Sequence, residues 1–149
     1  MHVTSEQEMH DLGSRLGSLF VGGEVVELVG DVGAGKTTFT KGLAQGLGVS
    51  ESVQSPSFTI SRVYDGRDDL RLEHYDFYRL SDPGIMKDEL AESVADDKTV
   101  VVIEWGGSVS DILPADRLVI GISSPGEFER DVKLRATGDR SQAILKELL

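Results

Sequence analysis

Cysteine is absent from the chain, which excludes disulfides, thiolate metal sites and a cysteine nucleophile. Basic residues are few. Lys and Arg total 15 against 26 Asp and Glu, a formal charge of −11. A protein that grips nucleic acid with its own surface needs the opposite balance, because phosphate contacts come from Lys and Arg. Long apolar runs are missing too. No segment approaches the roughly 18 residues of a membrane-spanning helix, and the polar opening MHVTSEQEMHD lacks the apolar stretch of a signal peptide. No repeat, low-complexity segment or Pro/Gly/Ser-rich linker divides the chain. These absences leave a soluble, cytoplasmic protein without membrane attachment as the expectation.

What is present is a mixed composition, 39% hydrophobic and 28% charged over 149 residues. That is enough to build a core and too apolar for a disordered acidic tail. A single domain over residues 1–149 is expected. Thr4 and Ser5 stand as N-caps ahead of Gln7 and Glu8, and Met9, Leu12, Leu16 and Leu19 recur at helical spacing, so the chain opens with an amphipathic helix. After the break at Gly22-Gly23, residues 25–29 predict a strand and residues 36–47 a helix stopped by Gly48. Strands over 58–64 and 70–78 would form a hairpin around Asp65-Gly66, followed by a helix over 87–95. Within 99–105, Val100, Val101, Val102 and Ile103 have the continuous apolar pattern of a strand buried on both faces. Two more strands over 117–123 and 131–136 and a closing helix over 141–149 complete the pattern. A β–α–β start followed mainly by strands argues for an α/β fold, a central mixed sheet with a largely parallel core flanked by helices.

The most informative stretch is Gly30-Asp31-Val32-Gly33-Ala34-Gly35-Lys36-Thr37, a G-x-x-x-x-G-K-[ST] string set between a predicted strand and a predicted helix. Its glycines permit positive φ and leave no Cβ in the way, so backbone N–H groups can converge on phosphate oxygens. The helix beginning at Lys36 directs its positive end at the same anion. Asp31, Val32, Gly33, Ala34, Gly35, Lys36, Thr37 and Thr38 are therefore the candidate nucleotide cradle. Lys36 would reach the β- and γ-phosphates and the Thr37 hydroxyl would bind Mg²⁺.

Phosphoryl transfer also needs acidic groups near the metal and the attacking water. Glu104 ends the all-apolar strand, where an acid would emerge beside Mg²⁺, and Asp76 ends another predicted strand. His74 has no companion metal-ligand motif and reads first as structural, while Trp105 and Tyr78 read as core. The N-terminal helix and residues 128–130 are candidates for the adenine pocket. An Asp-x-x-Gly switch and an Asn-Lys-x-Asp guanine reader are both missing, which argues against a GTPase. The arginines are scattered and form no lid, which weighs against a metabolite kinase, and Arg79 suits either a cis cation or a surface ion pair. A small kinase and a nucleotide-gated binding module both stay open at this level.

Taken in order, these stretches resemble the TsaE (YjeE) family, small bacterial ATPases of tRNA threonylcarbamoyladenosine biosynthesis. The likeness is carried by GDVGAGKTT from Gly30 to Thr38, by Ser55-Pro56-Ser57-Phe58-Thr59, by HYDFYRL from His74 to Leu80, and by Val102-Ile103-Glu104-Trp105. The chain departs from the family pattern at Ser57, at Gly106 and across residues 85–97. The resemblance implies a P-loop NTPase fold and slow ATP hydrolysis coupled to protein partners. It implies catalytic roles for Lys36, Asp76 and Glu104, and Mg²⁺ held by Thr37 and Glu104 with Asp76 as a further candidate. It gives Ser55, Pro56, Ser57, Phe58 and Thr59 a nucleotide-sensitive, switch-like role. It also implies the TsaB–TsaD complex as partner, with TsaB–TsaD as the transferase and tRNA met only through that complex.

Overall fold

Val100, Val101, Val102 and Ile103 are completely buried because their strand runs through the middle of a sheet with helices on both faces. The structure, a computed structural model, describes residues 1–31, 33–56, 60–78 and 84–149. Its elements in chain order are β1 (His2–Val3), α1 (Glu6–Leu19), β2 (Val25–Val29), α2 (Lys36–Gly46), β3 (Ser61–Asp65), β4 (Arg71–Asp76), α3 (Ile85–Ala95), β5 (Thr99–Glu104), β6 (Leu118–Gly126), β7 (Glu129–Ala136) and α4 (Asp139–Leu148). The seven strands lie in the order β1-β7-β6-β2-β5-β4-β3. β6, β2, β5 and β4 are parallel neighbours, whereas β3, β7 and β1 add on antiparallel. This is the expected mixed sheet, its parallel core extended by a hairpin at each side. No helix among the described residues is long and apolar enough to cross a membrane.

Alternation along the strands divides the core in two. Val26, Leu28, Leu72, Val100 and Val102 face α1 and α2, where Leu16, Phe39 and Leu43 cover them. Val25, Tyr75, Val101 and Ile103 face the other way, against Leu90 of α3 and Val109 and Leu113. Under α3 the packing is partly polar. Tyr75 Oη donates to Glu73 at 2.9 Å, and Ser93 of α3 donates to the same carboxylate. Burial, with the Glu73 carboxylate alongside, pushes the Tyr75 hydroxyl above its usual range.

Boundaries follow the caps. Ser5 accepts from the Glu8 N–H at 3.1 Å, while the Glu8 carboxylate returns to Thr4. Gly48 takes φ 83° just after α2. The turn between β3 and β4 is longer than a tight hairpin, with a 3-10 turn at Arg67–Asp69. β6 and β7 run past the predicted strands to Gly126 and back to Glu129. The two-residue β1 was not expected, since a strand so short carries no period; its place on β7 is what defines it.

The apolar stripe of α1 explains which face it buries, but not how closely it approaches α2. Gly13 and Gly17 of α1 meet Gly42 and Gly46 of α2. A Cβ added at any of the four would fall under 3.0 Å from backbone atoms of the facing helix. Arg67 closes the far end of the pair by donating to the Phe20 carbonyl at 2.6 Å and to the Gly46 carbonyl. A methyl group at Gly42 must separate the helices, so Gly42→Ala is expected to destabilise the protein by about 1–3 kcal/mol, read as a lower urea midpoint. Helix α4 is capped from outside: Asp116 accepts the Arg140 and Ser141 N–H groups at 2.9 and 3.1 Å. Its bonds to Ser141, then those to backbone N–H groups, hold its carboxyl below the usual 3.8. The folded pKa is the depressed one, so the contribution is complete above the unfolded value and is lost as pH falls through the folded pKa. Asp116→Ala should lower stability by about 1 kcal/mol at neutral pH, and the gap between variant and parent should shrink toward pH 3 in urea titrations.

Candidate nucleotide-binding site

After the end of β2, residues 33–35 lead directly into α2 through two left-handed glycines, Gly33 at φ 83° and Gly35 at φ 113°. Gly35 is the N-cap of α2 and supplies no side-chain cap, and the first turn of that helix holds no acid. The leading N–H groups and the positive helix end therefore remain available to an anion. Lys36 starts the helix with its side chain only 6% exposed. Its ammonium donates to the Gly30 carbonyl and, at 3.3 Å, to the Asp31 carbonyl. It stands 3.9 Å from Glu104 Oε1 and 4.5 Å from the centre of the Trp105 ring.

The carboxylates arrive by register. Asp76 pairs with Glu104 across β4 and β5, and Glu104 pairs with Leu28 at the end of β2. All three strands end at one edge of the sheet, where a parallel α/β fold binds its ligands. Asp76 accepts the Tyr78 N–H at 2.9 Å, and Glu104, 4% exposed, lies 2.6 Å from His74 Nε2. A cleft of about 630 Å³ opens at this edge, a volume suited to a small-molecule ligand. Gly33, Gly35, Lys36, Thr37, Thr38, Ser55, Asp76 and Glu104 line it. Phosphates fit the uncapped helix end and the buried cation. A divalent cation fits the Thr37 hydroxyl and the two strand-end acids.

Not every expected residue faces the cleft. Asp31 is exposed and contributes its carbonyl, which accepts from Lys36 and from the Ala34 N–H. Ala34 is buried in the core, and its carbonyl accepts from Arg130 Nε at 3.0 Å. Pro56 is buried too; its carbonyl accepts the Ile60 N–H at 2.7 Å, and the Ile60 carbonyl accepts the Asp76 N–H at 2.7 Å. The segment from Ser55 is thereby joined to Asp76 through one residue. Val32, Ser57, Phe58, Thr59 and Arg79 lie outside the described residues.

Trp105 and Tyr78, expected in the core, instead line the cleft at 37% and 53% exposure, with ring centres 4.8 Å apart. The reason is backbone geometry. Trp105 leaves β5 in the left-handed region at φ 58°, so strand alternation no longer places its side chain. Both regions considered for the adenine pocket do line the cleft, through Ser5 and Met9 at one and Phe128 and Arg130 at the other. Arg130 had no signal of its own in the sequence. It binds the P-loop carbonyl of Ala34 while also donating to the Glu129 carbonyl at 2.8 Å, so it ties the loop to the β6–β7 turn. Arg130→Ala should weaken nucleotide binding several-fold in calorimetry and shift the unfolding midpoint little, because Arg130 is only half-buried and half of its lost bonds are exposed.

Comparison with known proteins bears on the family and the fold. Residues 3–132 match the family described as "Threonylcarbamoyl adenosine biosynthesis protein TsaE". A relative in Bacillus subtilis, named tRNA threonylcarbamoyladenosine biosynthesis protein TsaE, is 42% identical over 127 residues, covering 85% of this chain and 78% of its own. Proteins of the same name in Streptomyces coelicolor and Treponema pallidum are 39% and 40% identical, covering 91% and 86% of this chain and 85% and 93% of their own. The crystal structure of Bacillus subtilis YdiB superposes with a TM-score of 0.81 at 34% identity, over 99% of this chain and 91% of that one. The family match spans residues 3–132, and the chain belongs to the TsaE family.

Proposed function

We propose that this chain is the ATP-hydrolysing component of tRNA threonylcarbamoyladenosine biosynthesis, working in the cytoplasm with the TsaB–TsaD complex and not itself transferring the threonylcarbamoyl group. The observation that carries the reading is the convergence of a buried P-loop lysine with two carboxylates in register at one sheet edge. Family membership supports the pathway, since the relatives carry that function in their names.

Lys36 would exchange its bonds to the Gly30 and Asp31 carbonyls for the β- and γ-phosphate oxygens. The N–H groups opening α2 would hold the same phosphates. Thr37 and Glu104 would hold Mg²⁺, which when bound neutralises charge on the phosphoryl oxygens. Asp76, on the neighbouring strand, would orient or deprotonate the attacking water. Its backbone link through Ile60 to Pro56 gives the Ser55–Thr59 switch-like stretch a route to the γ-phosphate position. A formal net charge of −11 suits a subunit that leaves tRNA contact to its partners.

The test is phosphate release from ATP by the purified chain, alone and with TsaB–TsaD. Turnover should be weak alone and rise with the partners. Lys36→Ala should abolish it, and Asp76→Asn should lower kcat roughly 100-fold or more with nucleotide affinity retained. Unchanged turnover in Asp76→Asn would remove Asp76 from the hydrolysis. Label passing from the γ-phosphate to a small acceptor instead of water would make the protein a kinase.

A further inference from the structure

One buried side chain beside the two acids has no task in the hydrolysis scheme. His74 lies on β4 two residues before Asp76 and on the same face, fully buried. Its Nε2 is 2.6 Å from Glu104 Oε2, a short, direct hydrogen bond. A carboxylate that holds a cation only accepts, and toward such a Glu104 the Nε2 carries the proton and His74 donates. The opposite ring nitrogen, Nδ1, is buried and has no hydrogen-bond partner among the described residues.

The surroundings make an imidazole a costly choice here. Leu72 on the same strand and Val100 and Val102 on β5 are its apolar neighbours on this face, Arg62 of β3 pairs with it, and the buried imidazole leaves Nδ1 without a hydrogen bond among the described residues. What the imidazole adds is its bond to Glu104. That bond divides the two oxygens of the carboxylate: Oε2 is tied to His74, and Oε1 is left toward Lys36 Nζ at 3.9 Å, on the side of the cleft. His74 itself is not part of the cleft lining. A carboxylate without the donor would keep its charge but lose the partner that fixes its orientation, and ligating carboxylates depend on such supporting bonds.

The geometry points to His74 as the positioning residue that holds Glu104 with Oε1 presented to the nucleotide's divalent cation. This rests on the proposed reading of the cleft as a Mg²⁺–ATP site. His74 touches neither nucleotide nor metal; it acts through Glu104.

The experiment is calorimetric binding of a non-hydrolysable ATP analogue, with and without Mg²⁺, to the parent, His74→Leu, His74→Gln and Glu104→Gln. The measured quantity is the gain in affinity that Mg²⁺ confers. His74→Leu should reduce that gain about 10-fold or more, with metal-free binding unchanged. His74→Gln, whose amide nitrogen takes the place of Nε2, should restore most of it. A merely structural role would lower the melting temperature in both variants without separating them in this ratio. Should His74→Leu fail to fold, His74→Asn, polar but too short to reach Glu104, takes its place under the same criteria. A parental gain in His74→Leu alongside a reduced gain in Glu104→Gln overturns the role of His74 and leaves the metal reading standing. No gain in the parent, or an undiminished one in Glu104→Gln, overturns the metal reading and the role of His74 with it.

Discussion

Parallel pairing of β2, β5 and β4 puts Leu28, Glu104 and Asp76 at one level of the sheet, and the functional groups are placed from that line. The P-loop leaves β2 there, so Lys36 comes within 3.9 Å of Glu104. His74, two residues back on β4, comes within hydrogen-bond reach of the same carboxylate. A one-residue slip of β4 against β5 would turn His74 and Asp76 to the opposite face of the sheet, toward α3. Register is held by the apolar residues that alternate with the polar ones: Leu72, Val100 and Val102 must face α1 and α2, and Tyr75, Val101 and Ile103 must face the other core.

That line also collects charge where charge is expensive. Lys36, His74, Asp76 and Glu104 are all buried, and removing such groups from water is unfavourable unless each finds a partner. Lys36 is surrounded by carbonyls, a carboxylate and an aromatic face, and Glu104 by an imidazole and the ammonium. Such a cluster adds little net stability, but it keeps the groups oriented before a ligand arrives. The opposite face handles its buried acid differently. Glu73 is met by the hydroxyls of Tyr75 and Ser93, neutral donors that anchor α3.

The chemistry of the site was largely legible in the sequence because it depends on local strings. A glycine-rich turn between a strand and a helix has few other uses, and an acid closing four apolar residues announces a strand end. Asp76 and Glu104 could be named for that reason, although their pairing could not. Trp105 and Tyr78 were misjudged as core because composition assigns aromatics to the interior, whereas the left-handed turn at Trp105 sends its ring to the cleft, where Tyr78 lies against it. The bond of Arg130 to the P-loop and the glycine interlock between α1 and α2 escaped notice for a different reason. Each is defined by a partner far along the chain, such as Ala34 for Arg130, and a period along one segment carries no information about its partner.

Sequence alone determined the kinds of group available and the local backbone that presents them: positive-φ glycines, a lysine at a helix start, acids at strand ends, and an acidic net charge. Those properties belong to single residues and short spacings, so they survive without a fold. The tertiary structure decided which of these groups meet. Distances such as 2.6 Å between His74 and Glu104 follow from strand order and register, set by burial of two apolar faces at once. That burial is a property of the whole sheet, and no short segment contains it.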